Sequence, residues 1–95
     1  MNQEPIVLEI KNIKGLHARA AAKFVETVES FEAGAVVSYD GMVVSGDSIM
    51  GLMMLGVAKG SNFEISTNGE QSDALAEALK SLVDRKFEEE EFEPK

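Results

Sequence analysis

The side chain best suited to chemistry in this 95-residue sequence is its only histidine, His17, set in the run Gly15-Leu16-His17-Ala18-Arg19. An amphipathic helix is predicted to begin immediately after it. The first turn of a helix has unpaired backbone N–H groups and the positive end of the dipole, which together suit an anion such as a phosphoryl group. Neutral imidazole is a good nucleophile, so a histidine placed there can be phosphorylated. The guanidinium of Arg19 matches phosphoryl geometry and can stabilise charge on a group in transit. Gly15 would let a partner's backbone approach closely. A lone histidine beside a helix start is nevertheless more often a cap or a surface residue, and a lone arginine a surface charge. Position alone does not decide.

Other chemistries are poorly supplied. The chain has no cysteine, hence no disulfide framework or thiolate chemistry, and one histidine cannot build a zinc site, so neither metal nor cofactor is expected. A P-loop, a pair of carboxylates with a matching cleft and a Ser-His-Asp set are all missing from the pattern. This suggests a co-substrate rather than a catalyst with turnover. Seventeen acidic against nine basic residues give a net charge of -8, which disfavours nucleic acid and anionic lipid as partners. The start, Met1 to Pro5, does not read as a signal sequence, and no run of about 18 apolar residues occurs. A soluble, cytoplasmic protein is expected.

The elements that must position His17 follow from periodicity. Ile6, Leu8 and Ile10 alternate with Val7 and Glu9, the pattern of a half-buried strand. Ala18 to Phe31 places Ala21, Phe24, Val25, Val28 and Phe31 on one helical face. Ala35 to Tyr39 and Met42 to Ser45 flank Asp40-Gly41, a preferred pair for a two-residue hairpin because both positions take positive φ. Asp47 and Ser48 can cap a short apolar helix running to about Val57. Asn62 to Thr67 alternates again and closes on Asn68-Gly69. Ser72 to Phe87 carries Leu75, Leu79, Leu82, Val83 and Phe87 at helical spacing, with Ser72 or Asp73 as its cap. The last eight residues, EEEEFEPK, hold five of the 17 acids and read as a solvated tail over 88–95 outside a single domain of 1–87. The order β-α-β-β-α-β-α predicts an α+β domain, one sheet with helices on one face.

Two stretches go further. GLHARAAAKFV, from Gly15 to Val25, resembles the active-site segment of the HPr family, the histidine phosphocarriers of the bacterial phosphotransferase system. GDSIMGLMMLGVAKG, from Gly46 to Gly60, resembles that family's regulatory serine and second helix, and the 31-residue offset between His17 and Ser48 fits its spacing. The likeness spans about residues 5 to 87 and implies an open-faced β-sandwich with a four-stranded antiparallel sheet under three helices. It implies that His17, through Nδ1, takes a phosphoryl group from enzyme I, itself charged by phosphoenolpyruvate, and passes it to enzyme IIA proteins, with Arg19 steadying the group. It further implies partner contacts through Gly15, Leu16, Ala18, Ile49, Met50 and Met53, action as a monomer, and Ser48 as a target for a serine kinase/phosphorylase.

There are departures. Asp47 stands where many relatives have a basic residue, which weakens the kinase site, and Ala20 replaces a usual proline. The AKG after the second helix and the acidic end resemble the nitrogen-regulatory branch more than the sugar-uptake branch. Two rivals remain: an acyl carrier protein, with phosphopantetheine on Ser48 of Asp47-Ser48-Ile49, and a purely regulatory HPr-like binding protein that relays no phosphate.

Overall fold

The computed structural model describes residues 4–89. Four strands, β1 (Ile6–Glu9), β2 (Gly34–Tyr39), β3 (Met42–Ser45) and β4 (Asn62–Asn68), form one sheet in the order β1-β4-β2-β3, with every neighbouring pair antiparallel. Helices α1 (Ala18–Glu29), α2 (Ile49–Leu55) and α3 (Ser72–Asp84) cover one face, and a 3-10 turn at Lys86–Glu88 follows. The expected element order and α+β class are both present. No helix among the described residues is long and apolar enough to cross a membrane.

Alternation along the strands decides which side chains meet the helices. Leu8 and Ile10 turn inward while Val7 is exposed, and Phe63, Ile65 and Thr67 of β4 are buried while Glu64 faces out. Ala20, Ala21, Phe24, Val25 and Val28 of α1 close the core from above, with Leu52 and Leu55 of α2 and Leu75, Leu79 and Val83 of α3. At the hairpin, Asp40 and Gly41 take φ of 51° and 81°, the left-handed pair that a two-residue connection demands.

Two expectations at α3 fail. Its N-cap is Gln71, which makes no side-chain cap bond, and Ser72 is instead buried, its carbonyl accepting from Thr67 Oγ1 at 2.9 Å. The helix also ends at Asp84, so Phe87 is not its last apolar position. Lys86, Phe87 and Glu88 adopt left-handed φ of 57°, 56° and 61°, and this turn delivers Phe87 into the core with no exposed surface. Left-handed backbone costs L-residues roughly 1–2 kcal/mol each. Burying a phenylalanine returns roughly 1.5–3 kcal/mol. The Lys23 ammonium donates to the Phe87 carbonyl at 2.7 Å, and a charged hydrogen bond adds about 1.5–3 kcal/mol. The two sides are of similar size, so the turn persists only because its ring and carbonyl are both anchored. Spacing alone cannot separate such an anchor from a fifth helical position.

The acidic end was expected to leave the fold at Glu88. Glu88 instead belongs to the turn and pairs with Arg85, while Glu89 folds back towards His17. The rest of the expected tail, 90–95, lies outside the described residues.

Candidate functional site

The loop carrying His17 is built from its buried neighbours. Leu16 N–H donates to Val57 O at 3.0 Å, tying the loop to the segment that leaves α2, and Leu16 itself is buried. Gly15 sits at φ 69°, and a Cβ there would fall 2.5 Å from Val57 O. The glycine therefore serves a close approach within the chain, to the backbone that leaves α2. Gly15→Ala should destabilise the domain by at least about 1 kcal/mol, from the left-handed backbone alone, and the clash with Val57 adds to that. Thermal unfolding measures it.

His17 is the N-cap of α1, with extended backbone at φ -87° and ψ -176°. Its carbonyl accepts the first helical bond, from Ala21 N–H at 2.8 Å, but its ring makes no cap hydrogen bond. No acidic residue lies in the first turn. The N–H groups of that turn are thus left open to an anion beside the ring, as the sequence suggested. Ala18 and Arg19, the first two helical residues, are exposed, and Arg19 enters no ion pair among the described residues.

The ring is held from one side. His17 Nε2 meets Glu89 Oε2, and since a carboxylate only accepts, this nitrogen carries the hydrogen. The other carboxylate oxygen, Oε1, accepts from Asn12 Nδ2 at 3.0 Å, and the same Nδ2 donates to Gly15 O at 2.7 Å. Two acceptors on one side fix the amide orientation of this fully buried asparagine, because turning it would set oxygen against oxygen. The His17 side chain keeps 26% of its exposure against 9% for Glu89. Nδ1 has no hydrogen bond among the described residues, which leaves its lone pair available.

Helix α2 divides as an amphipathic segment must. Leu52 and Leu55 are buried, whereas Ile49, Met50, Met53 and Met54 are exposed, at 40%, 69%, 40% and 68%. Ser48 caps this helix, its Oγ accepting from Gly51 N–H at 3.0 Å. Ser48→Ala should therefore cost about 1 kcal/mol of stability, the usual value of an N-cap, and leave phosphoryl uptake at His17 unchanged; a chemical melt and a labelling assay read the two effects.

Sequence reasoning missed Asn12 and Glu89 beside the His17 ring and Met54 on the exposed face of α2. The spacing of Met50, Met53 and Met54 on one helical face was a usable signal for the last. Nothing local marks Asn12 or Glu89, whose meeting depends on a 77-residue separation closed by the left-handed turn.

Comparison with known proteins agrees with this geometry. The family PTS-HPr, described as "PTS HPr component phosphorylation site", matches residues 6–85. Phosphocarrier protein HPr of Neisseria meningitidis is 46% identical over 77 residues, which cover 81% of this chain and 83% of that protein. Phosphocarrier protein NPr of Klebsiella oxytoca is 36% identical over 83 residues, 86% of this chain and 92% of that one. The crystal structure of HPr-C-His from Thermoanaerobacter tengcongensis superposes with a TM-score of 0.87 at 40% identity, covering 94% of this chain and all (100%) of that one. Fold and relatives together define a phosphocarrier of the phosphotransferase system. The chain belongs to the HPr family. The acyl carrier alternative, an all-helical fold, is overturned by the four-stranded sheet.

Proposed function

We propose that His17 is the residue that carries the phosphoryl group, accepting it on Nδ1 from phosphorylated enzyme I and passing it to an enzyme IIA protein, and that the chain does this as a monomer in the cytoplasm. The observation that carries this reading is the His17 ring itself. It is partly exposed, released from capping duty, and set beside the open N–H groups of α1. Arg19, on the first turn and without an ion pair among the described residues, is the side chain to steady the phosphoryl oxygens. Ile49, Met50, Met53 and Met54 form the apolar surface on which the partners dock. Methionine suits a surface that must fit more than one shape. Ser48 caps the docking helix, so a phosphate placed there by a kinase would add negative charge beside the apolar surface that partners meet.

Incubation with purified enzyme I and labelled phosphoenolpyruvate tests the reading. One phosphoryl group per chain should be taken up and lost again in acid, since a phosphoramidate N–P bond is acid-labile and a serine ester is not. Acid-stable label would refute it.

A further inference from the structure

We propose that Glu89 is a positioning residue for the phosphoryl transfer: its carboxylate holds the His17 ring by Nε2–H, so that Nδ1 is presented to the incoming phosphorus with its lone pair free. This rests on the reading of His17 as the acceptor and deepens it.

Three observations point the same way. The carboxylate touches Nε2, the ring nitrogen that does not receive the group, and so orients the ring without covering the reacting atom. Its second oxygen is bonded to the fully buried Asn12, whose amide is in turn tied to Gly15 O in the loop that carries His17. The carboxylate is thereby fixed relative to the backbone of the loop and not merely to the ring. Thirdly, the backbone reaches this place through three consecutive left-handed residues, with Phe87 locked in the core and its carbonyl bonded to Lys23. A solvated acidic tail would have no need of such a turn.

The transfer step is balanced in protons and charge. The Nδ1 lone pair forms the N–P bond while the donor's bond to phosphorus breaks, its electron pair returning to the donor. No proton leaves the acceptor. Nε2 keeps its hydrogen, the ring becomes cationic, and the carboxylate of Glu89 faces that new charge at hydrogen-bond contact. The arrangement is stronger for the phosphorylated ring than for the neutral one, which is what a positioning group that also stabilises the product requires.

The test compares the full chain with Glu89→Ala, Glu89→Gln and Asn12→Ala, reading the initial rate of label uptake from enzyme I and the imidazole N–H proton signal of His17 by NMR. Backbone amide spectra verify that each variant is folded. Glu89→Ala should slow uptake by roughly 10- to 100-fold, the scale of effect that misplacing a reacting group by an ångström produces. Glu89→Gln, which keeps an acceptor oxygen, should recover part of the rate, and Asn12→Ala should fall between. The Nε2–H signal should be protected from exchange in the parent chain and vanish in Glu89→Ala. If Glu89→Ala is charged at the parent rate, or faster, as a blocking group would predict, the inference is overturned while the His17 reading stands. A parent chain that takes no acid-labile label overturns that reading, and this inference with it.

Discussion

His17→Ala should remain folded and take up no acid-labile phosphate from enzyme I. The chemical half of that expectation follows because the chain contains one histidine and no cysteine, so no second imidazole or thiol can take the group in its place. The structural half follows from what the ring does not do. It caps no N–H group, and the first bond of α1 goes to the His17 carbonyl, which alanine retains. The main loss is the contact with Glu89, whose carboxylate keeps its bond to Asn12. An effect of about 1 kcal/mol is the scale for one such hydrogen bond. A circular dichroism melt close to that of the parent, together with absent label, is the expected pair of results. The same variant separates a relay from a purely regulatory protein, since a protein acting only by docking through α2 would keep its function without His17.

The largest loss of stability should come from Phe87→Ala. The ring has no exposed surface and belongs to the cluster formed by the sheet and all three helices. Removing a buried phenylalanine costs about 3–5 kcal/mol, against about 5–15 kcal/mol for the whole of a typical domain. The consequence at the site is specific to this chain. Without the ring the left-handed turn keeps only the Lys23 bond to its carbonyl, about half of what offsets its backbone, so Glu89 should leave His17 and Asn12 even in molecules that stay folded. Urea unfolding should show the midpoint falling sharply, and NMR the loss of the protected imidazole N–H signal. A drop in stability under about 1 kcal/mol would mean that Phe87 is not the anchor the structure shows.

Most of the frame was legible in the residues because it rests on local rules. The alternation of Ile6 to Ile10 and Asn62 to Thr67, the Asp40-Gly41 pair and the apolar face of α1 each report their own neighbourhood, and each element lies where its pattern placed it. His17 at the start of α1 was legible for the same reason. Its role, however, came from the likeness of Gly15 to Val25 and Gly46 to Gly60 to a known family, since a lone histidine at a helix start is ambiguous by physics alone. Phe87 shows where periodicity stops. It falls four residues after Val83, as a helix would have it, yet the helix had already ended and only the three-dimensional core could say so. Gly15 shows a second limit. Its need for a missing side chain was visible, but the reason is Val57, 42 positions away. Glu89 is the hardest case, one acid in a run of four, distinguished from its neighbours only by where the turn before it points.

All of these features converge on one nitrogen atom. The most direct measurement is to charge isotopically labelled chain with enzyme I and phosphoenolpyruvate and record the His17 ring by NMR. Coupling between phosphorus and Nδ1, with Nε2 still bearing its proton, is the result expected of a ring held by Glu89 at the mouth of α1. Phosphorus found on Nε2, or on the oxygen of Ser48, would contradict it.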